Sequence, residues 1–248
     1  METAIKQQNI SIDHLSIEVT RRCNLSCLHC LRGDAEDCDM NMRYVNTLFK
    51  KIDHIGNLTI TGGEPSLATH IINKIIKAAQ IHNVEVSSFY LVTNARSISK
   101  QFIFTLLRMY VEFNNDWSET TAVEYSNDNY HPGEPDTEGL QLLKGLSFFH
   151  PRNQNDDAEY SLLSEGKAPD YYQCNHSVTP ECFEVDVDED QITVNEGTLY
   201  LNCKGMLIAG CDWSYETQDD PESDVQICRV KDFTISKMIV FCERDLEE

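Results

Sequence analysis

The sequence predicts an α/β protein, built as a partial (β/α)6 barrel of the TIM type with a strand-rich C-terminal extension. Over the first 150 residues, short β-type runs alternate with amphipathic helical segments, a pattern typical of βαβ units and a parallel sheet. After residue 150 this alternation stops, and short strands separated by turns follow. These two observations define the fold class.

The individual elements follow from the spacing of apolar residues. The predicted strands of the first part, where β-branched and apolar residues alternate or form short runs, are 14–20, 57–60, 84–93 and 120–126. The predicted helices, where apolar residues recur three and four positions apart, are 40–52, 68–81, 99–113 and 138–149. The later predicted strands are 183–189, 192–196 and 199–213.

The chain has 248 residues, enough for one large α/β domain with a small addition. The pattern predicts an N-terminal extension at 1–13, a barrel core at 14–175 and an acidic, strand-rich closure at 176–248. We expect the closure to cover the barrel and to meet the substrate.

Charge excludes some classes of function. The chain carries 41 Asp and Glu against 20 Lys and Arg, a net charge of −21, which argues against binding to the phosphates of nucleic acids. Most of this charge lies after residue 150, in runs such as 184–190 and 216–224. No apolar run approaches the roughly 18–20 residues that span a bilayer, and the N-terminus lacks a secretory signal pattern. We therefore expect a cytoplasmic protein with no membrane partner.

Ten cysteines in a chain without an export signal suggest metal binding or catalysis more than disulfides. Cys23, Cys27 and Cys30 form a C-x3-C-x2-C pattern directly after the first predicted strand. Three thiolates can hold three irons of a [4Fe–4S] cluster and leave the fourth iron open for a substrate. A zinc site with His29 or Cys38 as fourth ligand is the alternative.

A second motif, Gly62-Gly63-Glu64-Pro65, follows the second predicted strand. Glycines allow a backbone to approach a ligand closely, and their carbonyls and the Glu64 carboxylate can accept hydrogen bonds from an ammonium group. With the cysteine pattern one βα unit earlier, this motif resembles the signature of the radical SAM superfamily.

The resemblance implies a mechanism. In that superfamily three cysteines hold the cluster, the open iron binds S-adenosylmethionine, and the GGEP motif holds the amino group of its methionine moiety. Reductive cleavage gives a 5′-deoxyadenosyl radical that abstracts hydrogen from a substrate. His29 stands where the superfamily places an aromatic residue or histidine beside the adenine.

Two further strand ends match the superfamily. Thr93, in LVTNA, resembles its third-strand ending. The run Ser126-Asn127-Asp128 resembles its fourth-strand ending, whose polar groups contact the cofactor, and LSEGKA at 163–168 extends the resemblance faintly. His131 follows closely and is a candidate catalytic residue at the barrel mouth.

The C-terminal cysteines leave three alternatives open. The stretch from Cys203 to Cys211 resembles the glycine-turn hairpin of SPASM and twitch enzymes, which carry an additional iron–sulfur cluster. Otherwise these cysteines are buried thiols that pack as small apolar groups, or Cys211 is a catalytic thiol that donates a hydrogen atom.

The resulting prediction is an iron–sulfur enzyme, an oxidoreductase or transferase, with a flavodoxin or ferredoxin as one-electron reductant. A peptide or protein substrate is slightly favoured over a small metabolite or nucleoside. The alternative is a zinc- or iron–sulfur-binding interaction protein without catalysis.

Overall fold

The computed structural model describes residues 9–113, 120–126, 128–152, 162–174 and 176–244. Over these residues the chain forms a mixed α/β fold around one largely parallel sheet of ten strands, and the predicted fold class is confirmed. The strands are β1 (Asn9–Thr20), β2 (His54–Gly62), β3 (Glu85–Thr93), β4 (Ala122–Tyr125), β5 (Phe149–Pro151), β6 (Phe183–Val187), β7 (Gln191–Glu196), β8 (Leu199–Leu201), β9 (Met206–Ala209) and β10 (Gln226–Arg229).

The helices connect the parallel strands and close the chain. They are α1 (Met42–Phe49), α2 (Thr69–His82), α3 (Lys100–Phe113), α4 (Thr137–Leu143), α5 (Ala168–Tyr171), α6 (Tyr215–Asp219) and α7 (Ile235–Arg244), with 3-10 turns at Pro65–Ala68 and Val230–Asp232. No helix in the described ranges is long and apolar enough to cross a membrane.

The sheet is organised around β1. On one side, β1 to β5 are neighbours in chain order and pair in parallel. On the other side, the first half of β1 pairs with β7 and the second half with β8, again in parallel. The antiparallel strands β9 and β10 continue the sheet beyond β8, and β6 pairs with β7.

The parallel strands have two chemically different faces. Apolar side chains such as Ile17, Leu58 and Phe89 are fully buried in the main hydrophobic core, which also contains the apolar sides of α1, α2 and α3. Alternate positions such as Ser16, Thr59 and Tyr90 carry polar groups and line a cavity. The period of two along each strand produces this division.

Several predicted boundaries differ from the structure. The helix predicted at 138–149 ends at Leu143, because Phe149 begins β5 and pairs with Val123 at the sheet edge. The strand-type stretch 199–213 contains two strands, β8 and β9, which pair as an antiparallel hairpin through a tight turn in which Gly205 has a positive φ. β1 begins at Asn9, within the predicted extension 1–13, because Ile12 is buried and pairs with Ile55.

Candidate functional site

The predicted motifs meet at one edge of the sheet. Because β1 to β4 are parallel, the segments that follow them lie side by side at their C-terminal ends. There they surround a cavity of about 670 Å³. The predicted site residues that line it are Cys23, Cys27, His29, Cys30, Gly62, Gly63, Glu64, Pro65, Thr93, Ser126, Asp128, His131 and Cys211.

Short-range hydrogen bonds shape the cysteine loop after β1. The Cys30 amide donates to the Cys27 carbonyl over 3.3 Å, and the Gly33 amide donates to the Cys30 carbonyl over 3.2 Å. The Leu25 amide lies 3.5 Å from the Cys23 sulfur. These bonds turn the loop so that all three cysteines face the cavity.

Burial and the proximity of other thiols disfavour the ionised forms of Cys23 and Cys27. Burial, with the nearby thiols of Cys30 and Cys23, raises the pKa of Cys27 to about 11. Burial also raises the pKa of Cys23, and the Cys30 thiol contributes to that rise. A positively charged metal centre would offset both effects, so the donor set fits a metal group.

The three cysteine sulfurs are not gathered as closely as thiolates around one zinc ion. Zinc–sulfur bonds of about 2.3 Å in a tetrahedral site place thiolates ~3.8 Å apart. In the described part of the chain, His29, Asp128 and His131 form the one group of three or more His, Cys, Asp or Glu side chains whose ligand atoms all lie within 4.8 Å of one another. The sulfurs of Cys23, Cys27 and Cys30 do not meet this criterion. A wider spacing suits a cluster in which each sulfur binds a different iron.

Gly62 and Gly63 are required by the packing of two loops. A Cβ atom on Gly63 would lie 2.4 Å from the Arg22 carbonyl oxygen, and one on Gly62 would lie 2.1 Å from the Thr20 carbonyl oxygen. The Gly63 amide donates to the Thr20 carbonyl over 2.7 Å. The glycines thus let the segment after β2 pack directly against the base of the cysteine loop.

Glu64 connects the ends of β2 and β3. Its carboxylate is buried and accepts hydrogen bonds from the Ser66 amide (3.0 Å), the Thr93 hydroxyl (2.7 Å) and the Asn94 amide (2.8 Å). The Asn94 side chain in turn donates to the Asn24 side chain over 2.8 Å. Glu64 therefore positions the wall of the cavity through its carboxylate.

His29, Asp128 and His131 converge beside the cysteine loop. The His131 ring lies 4.7 Å from the His29 ring, and its Nδ1 lies 2.7 Å from an Asp128 oxygen. Burial, with the nearby His131, lowers the pKa of His29, whose Nδ1 is buried without a hydrogen-bond partner. Burial of Asp128 opposes its ionisation, yet the hydrogen bond and charge of His131, with the His131 and Tyr130 amides, together outweigh burial and lower the Asp128 pKa to about 2.

Of the remaining predicted site residues, the structure describes Thr93 and Ser126. The Thr93 hydroxyl is taken up by Glu64, and the Ser126 amide donates to the Thr93 carbonyl over 2.9 Å. Asn127 lies outside the described residues.

The structure adds cavity residues that the sequence did not single out. Tyr90 and Arg152 line the cavity, and Glu124 accepts a short hydrogen bond from the Tyr90 hydroxyl. Gly166, within LSEGKA, packs so closely that a Cβ there would lie 2.3 Å from the Cys30 carbonyl oxygen, and the Lys167 amide donates to that oxygen over 3.0 Å. The sequence gives one indication of Tyr90: the alternation of polar and apolar residues along β3 places it on the polar face of the strand.

The two C-terminal cysteines of the predicted hairpin are separated. Cys203 lies in the turn between β8 and β9, is buried, and its sulfur donates to the Glu18 carbonyl over 3.2 Å. Cys211 follows β9 and lines the cavity beside Asp212. Burial and Asp212 raise the Cys211 pKa to about 12, so this thiol is protonated at neutral pH.

The acidic run at 184–190 lies far from this cavity. It forms most of β6 and the turn to β7, where the Asn9 amide donates to the Asp190 carbonyl over 3.1 Å. Asn9 begins β1, whereas the cysteine loop follows its other end. The predicted contact between the C-terminal part and the cavity is made instead by Cys211 and Asp212.

Comparison with known proteins finds relatives in sequence and in structure. No protein family model matches the chain. An uncharacterized protein of Methanocaldococcus jannaschii is 30% identical over 144 residues, which are 54% of this chain and 49% of that protein. The chain thus spans about half the length of this relative.

Two solved structures share the fold across almost the whole chain. Native anSMEcpe with bound AdoMet and Kp18Cys peptide matches 94% of this chain and 82% of that chain, with a TM-score of 0.56 and 12% identity. The complex of the same protein with AdoMet and Cp18Cys peptide matches 95% and 82%, with a TM-score of 0.56 and 13% identity. At this identity the likeness concerns the fold alone, and the chain shares the fold of anSMEcpe.

Proposed function

We propose that this protein is a radical SAM enzyme that binds a [4Fe–4S] cluster through Cys23, Cys27 and Cys30. The observation that carries the proposal is the meeting of these cysteines with Gly62, Gly63 and the Glu64 backbone in one cavity, at the C-terminal ends of parallel strands.

The residues of the chain would divide the work as follows. The bound cluster and S-adenosylmethionine supply one-electron cleavage to an adenosyl radical. The backbone around Gly62 and Gly63 offers carbonyl acceptors for an ammonium group, and the ring of His29 offers a face for an adenine. Tyr90 and Arg152 line the same cavity and are available to the substrate.

We further propose a peptide substrate and a small electron-transfer protein such as a flavodoxin or ferredoxin as reductant. The support for the peptide is that anSMEcpe, with the same fold, has been solved with bound peptides.

Anaerobic reconstitution followed by an assay for 5′-deoxyadenosine tests the function. We expect about four irons per chain and reductant-dependent 5′-deoxyadenosine in the parent protein. Cys23→Ala should lose both, whereas the matched variant Cys182→Ala, at an exposed cysteine, should keep both.

Other outcomes contradict the proposal. Cofactor cleavage by Cys23→Ala at the parent rate contradicts the assignment of the cluster, and one tightly bound zinc without cleavage supports a binding module instead. In the same assay, deuterated peptide and small-molecule fractions of a cell extract test the substrate class. Deuterium that enters 5′-deoxyadenosine from the small-molecule fraction alone contradicts a peptide substrate.

A further inference from the structure

We propose that the segment Cys211–Asp219 is part of the cluster site, and that Asp219 is a positioning residue that fixes the cysteine loop through Arg21. This inference rests on the proposed function, since it concerns the loop that would hold the cluster. The segment leaves β9, carries Cys211 into the cavity and ends with helix α6. It contacts the cysteine loop on both sides of the three cysteines.

The first contact is made by Arg21, two residues before Cys23. Its guanidinium is completely buried and lies between β1 and α6. It donates to Asp219 over 2.7 and 3.1 Å and to the Gln218 side-chain oxygen over 3.2 Å. It also donates to Glu18 over 3.0 Å and stacks 4.2 Å from the centre of the Tyr215 ring.

The charge on Arg21 makes this contact specific. Burial disfavours the charged guanidinium, but the hydrogen bond to Asp219 and the charge of Glu18 outweigh it and raise the Arg21 pKa above its ordinary value. A buried cation that loses one carboxylate partner is left partly uncompensated, so its position depends on Asp219. Glu36 also accepts from Arg21 over 3.0 Å but is partly exposed.

The second contact is made by Arg32, two residues after Cys30. Its Nη1 donates to the Trp213 carbonyl over 2.7 Å, and the Tyr215 amide donates to the Arg32 carbonyl over 3.0 Å. The Arg32 side chain is buried and lies over the Tyr200 ring of β8. Both ends of the cysteine loop are therefore tied to the one segment Cys211–Asp219.

Two distant parts of the chain therefore contribute to the cluster site. The first 30 residues supply the sulfurs, and residues near 215 determine where those sulfurs lie. A cluster needs its ligands held within about 0.5 Å of their binding geometry, and groups that orient the ligands matter for affinity. Asp219 is the group through which this can be tested, because Arg21 keeps Glu18 and Glu36 when Asp219 is neutralised.

The experiment compares three variants of the full chain. Asp219→Asn removes the charge that pairs with Arg21, Asp219→Glu keeps it, and Asp220→Asn makes the same chemical change at the exposed neighbouring residue. Hydrogen–deuterium exchange of residues 21–33 is measured on the metal-free protein. Iron release to a chelator and the EPR spectrum of the reduced cluster are measured after reconstitution.

In Asp219→Asn we expect exchange in residues 21–33 to be about tenfold faster, as loss of a charge-assisted hydrogen bond implies. We expect iron release to be about tenfold faster and the EPR signal to be altered, as for a lost ligand-orienting contact. Asp219→Glu should recover most of both effects, and Asp220→Asn should match the parent protein. Should Asp219→Asn not fold, Gln218→Met tests the same segment: it removes the Gln218 contacts to Arg21 and to the Trp213 carbonyl and should raise exchange and iron release in the same direction, to a smaller extent.

Equal exchange and equal iron release in Asp219→Asn and Asp220→Asn would overturn the proposal. Faster exchange with unchanged iron release and an unchanged EPR signal would also overturn it, because the contact would then be structural only. A parent protein that takes up no iron contradicts the proposed function instead. The exchange comparison, made without metal, still decides in that case whether Asp219 fixes the loop.

Discussion

At the scale of single residues, the glycines of the GGEP motif have a role within the protein itself. Gly62 has a φ of 141°, which side-chain-bearing residues rarely adopt, and Gly63 packs against the Arg22 carbonyl. Both allow the segment after β2 to hydrogen-bond to the base of the cysteine loop. The fold therefore already requires glycine at positions 62 and 63, independently of any ligand that their backbone binds.

This predicts the effect of a single methyl group. In Gly63→Ala the new Cβ would lie 2.4 Å from backbone oxygen, so the two loops must separate. We expect the free energy of unfolding of the metal-free protein to fall by about 1–3 kcal/mol, as for overpacked sites, and iron uptake to fall with it. Urea unfolding and iron analysis measure the two effects.

The matched control for this prediction is Gly145→Ala, where the nearest atom to a new Cβ is 3.8 Å away. Its stability should stay close to that of the parent. If Gly63→Ala is as stable as Gly145→Ala and takes up as much iron, the close approach of the two loops contributes neither to the stability of the fold nor to iron binding.

At the scale of elements, helix α4 shows how one side chain joins two loops. Asp136 is its N-cap and accepts from the Gly139 amide over 3.0 Å and from the Ile98 amide over 3.1 Å. The Gly139 hydrogen bond, followed by that of Ile98, lowers the Asp136 pKa below its ordinary 3.8. The cap therefore anchors the segment after β3 to the start of α4.

Asp136→Ala should lower the free energy of unfolding at pH 7 by about 1 kcal/mol, the usual cost of a lost cap. Since the folded-state pKa is lowered, the carboxylate stabilises the fold above pH ~4 and loses this effect as the pH falls through the folded-state pKa. The difference between parent and variant should thus shrink at pH 3. Urea unfolding at the two pH values measures it.

Asp136→Asn separates the cap from the charge. Asparagine caps helices about as well as aspartate and does not titrate, but its one oxygen cannot accept from both the Gly139 and the Ile98 amides. This variant should therefore lie between the parent and Asp136→Ala at pH 7 and be insensitive to acid at this site. A pH dependence in Asp136→Asn equal to that of the parent would assign the effect to other carboxylates.

At the scale of the whole molecule, β1 joins the two halves of the chain. β2 pairs with one edge of β1, and β7 and β8 occupy the other. The residues after 176 are thus part of the sheet that holds the cavity, and Asp219, within the acidic run 216–224, neutralises a buried arginine. The other acidic run, 184–190, lies at the opposite end of β1 from the cysteine loop.

A chain that ends at Gly197 should lose the cooperative unfolding transition seen by near-UV circular dichroism. It lacks β8, which pairs with Leu15–Ile17 of β1, and α6, which neutralises Arg21. A chain that ends at Arg244 keeps every described element and should unfold like the parent. A cooperative transition in the shorter chain would show that the first 197 residues fold independently.

Much of the site follows from the sequence because its signals are local. The spacing of Cys23, Cys27 and Cys30 and the position of Gly62 and Gly63 after a β-type run are visible in short windows. Parallel order then requires these segments to meet at one edge, as the structure shows. The sequence does not predict where α4 ends and β5 begins, because an apolar residue such as Phe149 fits the buried side of either a helix or a strand.

The sequence by itself determined the fold class, the strand order of the first half and the residues of the candidate cluster site, because alternation, helical periodicity and motif spacing are properties of neighbouring residues. Only the tertiary structure decided that β7 and β8 pair with β1 and that Asp219 neutralises Arg21. Arg21 and Asp219 are 198 positions apart, and the strand pairs are also distant in the sequence. Backbone hydrogen bonds form the strand pairs, and the Asp219 carboxylate offsets the cost of burying the Arg21 charge, so no periodicity within either segment could indicate these contacts.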